Sequence, residues 1–99
     1  MPEDLALPPV IVKLPAALVR LFPGAARRVE LSGSDSAQTV ADVIDALDGR
    51  WPGMRDRICD STPRIRRHMN VFVAGERVTL ETRLAPGAEV VVLTAISGG

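Results

Sequence analysis

The chain has 99 residues, 46% of them apolar and only three aromatic, so a single domain with an aliphatic core is expected and disorder is not. Lys plus Arg and Asp plus Glu balance at 12 each, which leaves no net field to gather nucleic acid or an anionic membrane surface. A single cysteine, Cys59, excludes an intramolecular disulfide, a CxxC redox pair and a cysteine-rich zinc site.

Val10-Ile11-Val12-Lys13-Leu14 is β-branched and bounded by prolines, the pattern of a first strand. The stretch from Pro15 to Ala26, with Pro23-Gly24 as a turn, reads as the link of a wide hairpin into Arg27-Arg28-Val29-Glu30-Leu31, where apolar residues alternate. Ser32 to Ser36 is a turn-rich link. Thr39 is placed to cap a helix from Val40, in which Val40, Val43, Ile44, Leu47 and Trp51 form one apolar stripe. Asp42, Asp45 and Asp48 then lie on a solvated face, and Gly49 with Pro52-Gly53 stops the helix.

Met54 to Asp60 reads as one further helical turn, and Ser61 to His68 as a polar, basic surface crossing. Asn70-Val71-Phe72-Val73, the turn at Ala74-Gly75-Glu76 and the return Arg77-Val78-Thr79-Leu80 make a second hairpin. Leu84 plugs the core from the next loop, and Glu89 to Thr94, apolar at every interior position, reads as a central strand beside the first. The order strand, strand, helix, strand, strand, strand is that of an α+β layer with one helix on a mixed sheet. Beyond Thr94 the residues Ala95-Ile96-Ser97-Gly98-Gly99 are expected to project as an exposed, flexible tail.

Two glycines are expected to end a chain by chance in roughly 0.5% of sequences. Gly98 and Gly99 lack a Cβ, so a terminal carboxylate can thread a narrow site in a partner. A carboxylate resists nucleophiles, but adenylation by ATP makes it a mixed anhydride that a sulfur donor opens to a thiocarboxylate. No GxxxxGK[ST] loop or metal-ligand cluster is present in the sequence, so ATP, magnesium and the nucleophile must come with an activating partner.

Leu14-Pro15-Ala16-Ala17-Leu18, Trp51-Pro52-Gly53-Met54-Arg55-Asp56-Arg57, Asn70-Val71-Phe72-Val73 and the final Ala95-Ile96-Ser97-Gly98-Gly99 resemble the ThiS/MoaD group of ubiquitin-like sulfur carriers over Val10 to Gly99. The resemblance implies a ubiquitin-like β-grasp fold: four to five strands in a mixed sheet packed on one main helix, residues 1–99 forming one domain and 95–99 its exposed tail. It implies that Gly99 is adenylated and thiocarboxylated by an E1-like adenylyltransferase/sulfurtransferase using ATP and Mg, with Gly98 in the enzyme's channel. Ser97, Ile96 and Ala95 would be the segment that both partners recognise, Ile96 as apolar anchor. The insertion from Trp51 to His68 sets the chain apart from the shorter thiazole-pathway carriers. Its look is nearest to the cysteine-biosynthesis carriers, which are CysO-like and feed a cysteine synthase. The small subunit of molybdopterin synthase, which serves that enzyme's large subunit, is the close rival.

Other features have plainer readings. Cys59 follows Ile58 and reads as a small buried hydrophobe, and His68 beside Arg64, Arg66 and Arg67 as a solvated loop residue. The arginine run either is solvated or docks an acidic partner surface. One His, one Cys and no GxSxG, HExxH or paired-carboxylate motif leave no self-contained catalytic site, so the chain is expected to be a co-substrate rather than an enzyme. The acidic Met1-Pro2-Glu3-Asp4 start and an apolar run too short to span a bilayer, Val90 to Ile96, point to the cytoplasm. A ubiquitin-like modifier joined through Gly99 to target lysines, or a β-grasp interaction module, are the readings from other classes.

Overall fold

A computed structural model describes residues 8–32 and 37–94. Five strands, β1 (Val10–Lys13), β2 (Arg28–Leu31), β3 (Met69–Val73), β4 (Glu76–Arg77) and β5 (Glu89–Thr94), form one sheet in the order β2-β1-β5-β3-β4. β1 and β5 run parallel side by side, and the other pairings are antiparallel, as the β-grasp expectation requires. Three helices connect them: α1 (Ala16–Leu21), α2 (Val40–Arg50) and α3 (Met54–Ile58).

One face of the sheet holds the core. Val10 and Val12 of β1, Val29 and Leu31 of β2, Val71 of β3 and Val90 and Val92 of β5 are buried with Val40, Val43, Ile44 and Leu47 of α2. The helix stripe therefore lies where its 3.6-residue spacing places it. Trp51, Leu84 and Ile65 pack against this cluster half-buried. No polar or charged side chain is buried among the described residues.

The first N–H groups of α2 have no intrahelical acceptors and are met from outside. Val40 donates to the Thr82 carbonyl at 3.0 Å and Ala41 to that of Leu80 at 2.9 Å. Asp42 N–H donates to Thr39 Oγ1 at 3.2 Å, and Asp42 Oδ2 accepts in return from Thr39 N–H at 3.1 Å, which completes a capping box. The β4–β5 connection is thereby tied to the start of the helix, with Leu84 N–H on the Gln38 carbonyl at 2.8 Å.

Four readings of the sequence change. Residues 16–21 are helical, not a plain link: Ala16–Leu21 offers too few turns for a periodic signal, and only Leu18 is buried. Gly49 lies inside α2, and the helix ends where Trp51, the residue before Pro52, adopts φ −132° and ψ 86°. The return strand is only Glu76–Arg77, with Val78 N–H still bonded to the Val71 carbonyl at 2.9 Å. The aspartates of α2 are not merely solvated: Asp42 caps its own helix, Asp45 pairs with Arg55 at 2.6 Å and Asp48 caps α3.

Candidate functional site

The residues expected from the sequence to carry the chemistry, Ala95, Ile96, Ser97, Gly98 and Gly99, lie outside the described residues. What the structure gives is the platform from which they leave. β5 is the middle strand, and its last residue, Thr94, pairs with Met69 at the start of β3. Five residues span at most about 17 Å when extended. A partner that holds Gly99 in an active site must therefore meet the body of the protein at this end of the sheet.

Opposite the core, the sheet presents a second face. Register places Glu30 beside Ile11, Lys13 beside Val91, Phe72 beside Val91 and Asn70 beside Leu93 on that side. Ile11, Phe72 and Val91 are half-buried without joining the core cluster, and Leu93 is 45% exposed. β5 is the central strand its apolar run suggested, with Val90 and Val92 facing the core while Val91 and Leu93 face outward. Lys13 pairs with Glu89 at 3.3 Å and Arg28 with Glu30 at 2.7 Å, so ion pairs flank an apolar strip. These pairs are half-exposed and stabilise little, but they leave no net charge beside the strip.

Cys59 is buried, as expected of a small hydrophobe, and loss of hydration pushes its thiol above the ordinary value, the reverse of what a sulfur-accepting thiolate needs. His68 is exposed. The 61–68 crossing is more structured than its composition suggests. Asp60 Oδ1 accepts from the N–H groups of Thr62 at 2.9 Å and Arg64 at 3.0 Å and from the Thr62 hydroxyl. Arg66 N–H donates to the Ile58 carbonyl at 2.8 Å and closes the loop. These bonds hold the Asp60 carboxyl below its usual range, the Thr62 hydroxyl chief among them. Among the described residues no helix is long and apolar enough to cross a membrane, and no three His, Cys, Asp or Glu side chains gather to hold a metal ion.

A sheet with parallel β1 and β5 at its centre, a capped helix on one face and β5 leading to the Gly98-Gly99 end matches known proteins closely. The profile of the ThiS family matches residues 13–99. The chain belongs to the ThiS family. The sulfur carrier protein CysO of Mycobacterium tuberculosis is 33% identical over 96 residues, which cover 91% of this chain and 98% of that one. Small archaeal modifier protein 1 of Haloferax volcanii is 32% identical over 87 residues, covering 88% and 97%. The crystal structure of the Amycolatopsis orientalis BexX/CysO complex superposes with a TM-score of 0.76 at 30% identity, covering 91% of this chain and 99% of the matched one. The ThiS-family sulfur-carrier fold is thus established for this chain.

Proposed function

We propose that this ThiS-family chain is a sulfur carrier for cysteine biosynthesis, with the carboxylate of Gly99 as its working group. The observation that carries the reading is the family match itself, which runs through Gly98 and Gly99 on a sheet whose middle strand, β5, leads toward them. In the proposed cycle an E1-like enzyme, with Mg, transfers the adenylyl group of ATP to a Gly99 oxygen and releases pyrophosphate. A sulfide equivalent then attacks the acyl carbon, AMP leaves, and the carbon retains sulfur in place of one oxygen. The carrier contributes an acyl end with no side chain to obstruct it, carried by Ala95, Ile96, Ser97 and Gly98 into the partner's channel. The chain itself acts as co-substrate.

The similarity to CysO supports cysteine as the destination, with a cysteine synthase as receiver; transfer to the large subunit of molybdopterin synthase is the rival destination. The modifier reading rests on a specific observation too, since a relative of almost equal identity is a modifier protein by name. The products separate these readings.

Intact mass of the chain incubated with extract of its own host, ATP, Mg and sulfide is the deciding measurement. Replacement of one terminal oxygen by sulfur, lost again on addition of the receiving synthase as free cysteine forms, is the expected result. Higher-mass species joined through an amide to lysine would establish the modifier, and an unchanged mass would overturn both. Deleting Gly98 and Gly99 must abolish either product.

A further inference from the structure

The loop of residues 61–67 and the β3–β4 hairpin with its continuation to residue 81 enclose a groove of about 830 Å³. Its apolar lining includes Ile65, Val78 and Leu80, while Arg64, Arg66, Arg67 and Arg77 line it with a single acid, Glu81. Two of these arginines are committed: Arg66 Nε donates to the Asp56 carbonyl at 2.7 Å, and Arg77 donates to Asn70 Oδ1. Arg64 and Arg67 are exposed and have no side-chain partner among the described residues. In a chain whose charges balance overall, this is a local excess of cation over an apolar floor.

Place matters as much as charge. Met69 lines the groove and is also the residue paired with Thr94, so the groove opens beside the point at which the chain leaves the sheet. An enzyme that takes Gly99 into its active site is, on the reading above, held within about 17 Å of this point. The exposed guanidinium charges suit carboxylates at the rim, and the floor suits aliphatic side chains between them. We propose that this groove docks an acidic segment, interspersed with apolar residues, on the enzyme that activates Gly99. The inference rests on the carrier reading and adds to it a second contact that steers the tail. Opposite charges at the rim of an interface act chiefly on the rate of encounter and on its salt dependence.

The test compares the full-length chain with the Arg64→Glu/Arg67→Glu variant, an Arg64→Lys/Arg67→Lys variant and a charge-matched control, Arg20→Glu/Arg57→Glu. Initial rates of thiocarboxylate formation are read by intact mass in host extract with ATP, Mg and sulfide. Reversal in the groove is expected to slow formation about tenfold at low salt, with the gap closing as salt is raised, while the Lys variant and the control stay within about twofold of wild type. Equal rates for wild type and the groove reversal, or equal slowing by the control, would overturn the docking proposal and leave the carrier reading standing. No thiocarboxylate on wild type would overturn both. A titration of the labelled chain followed by NMR uses the acetylated, amidated peptide Glu-Leu-Asp-Glu-Leu-Asp and, separately, inorganic phosphate. Amide shifts at residues 62, 64–71 and 77–81 with the peptide alone support a protein segment as occupant. The same shifts with phosphate would show a small-anion site instead and overturn the proposal.

Discussion

Asp48 Oδ1 stands 3.0 Å from the backbone nitrogen of Gly53 and, at the same distance, accepts from Arg55, so one carboxylate on α2 supplies the start of α3 with its acceptor. Gly53, at φ +99°, has no side chain with which to cap the helix itself. Replacing Asp48 by Ala leaves two donors without this partner and is expected to lower stability by about 1 kcal/mol, with Asp48→Asn retaining roughly half of that. Urea denaturation followed by circular dichroism measures it, and an unchanged midpoint for Asp48→Ala would show that water replaces the carboxylate without loss.

Leu93 and Val92 are neighbours on β5 with opposite fates. Val92 is buried at 1% exposure and Leu93 is 45% exposed on the open face. Val92→Ala is expected to cost about 2 kcal/mol of stability through lost burial and the cavity left behind. Leu93→Ser is expected to change stability by less than about 0.5 kcal/mol yet to slow thiocarboxylation severalfold, because its surface is spare in the free protein and lies on the side open to a partner. If Leu93→Ser reacts at the wild-type rate, the open face is not where the activating enzyme sits.

Ala74 is the one described residue other than glycine with a positive φ, +54°, followed by Gly75 at +80°. Positive φ at both residues of a two-residue hairpin loop is the turn that favours Asn-Gly, and Ala carries the steric cost of its Cβ there. Ala74→Asn is expected to raise stability by about 0.5–1 kcal/mol. An upward shift of a few degrees in the thermal midpoint checks it, and a lowered midpoint would mean that neighbouring groups reject the amide.

Cys59 donates its N–H to the Arg55 carbonyl at 2.7 Å and bridges to Ile65, with its thiol buried and raised above the ordinary value by desolvation. A group whose folded value is raised contributes its stability fully below the unfolded value, about 8.5 for a thiol, and loses it as pH rises through the folded value. Alkaline pH is therefore expected to destabilise the wild type more than a Cys59→Ala variant. Reaction with an aromatic disulfide reagent at pH 8 is expected to be roughly a hundredfold slower in the folded chain than in urea, since the thiol must first be exposed. Fast reaction in the folded chain would return Cys59 to the candidates for sulfur chemistry.

The parts legible in the sequence are those where one local pattern decides one structure. Thr39 and the stripe Val40, Val43, Ile44 and Leu47 announce a capped amphipathic helix, and all four stripe residues are buried. Asp48 gives no such signal, because its donors belong to the next helix and only the fold brings them within reach. α1 is hidden for a different reason: six residues after a proline do not complete the two turns a periodic reading needs. For the proposed site the sequence alone speaks: Gly98 and Gly99 lie outside the described residues, and their lack of side chains is what suggests a threading end. The arginine run of residues 64–67 reads in the sequence as either solvated or docking an acidic surface, but the groove could not be read, because Arg64 and Arg67 line it with Arg77 and Glu81 only once β3 and β4 have paired.

Asp60 links the loop that carries Arg64 to acid pH. Its Oδ1 holds the Thr62 hydroxyl and the N–H groups of Thr62 and Arg64, and these bonds lower its pKa, the hydroxyl most of all. A carboxyl with a depressed folded value stabilises its loop above the unfolded value, about 3.9 for aspartate, and that contribution is lost as pH falls through the lower folded value. The amide signals of Thr62 and Arg64 are therefore expected to move together on acidification, with a common midpoint below 3.9. Thr62→Val removes the hydroxyl and should bring that midpoint back toward the ordinary value, while Asp60→Asn should abolish the transition altogether. A midpoint at or above the ordinary aspartate value, unmoved by Thr62→Val, would mean that these bonds do not persist in solution. The loop would then present Arg64 by chance rather than by construction.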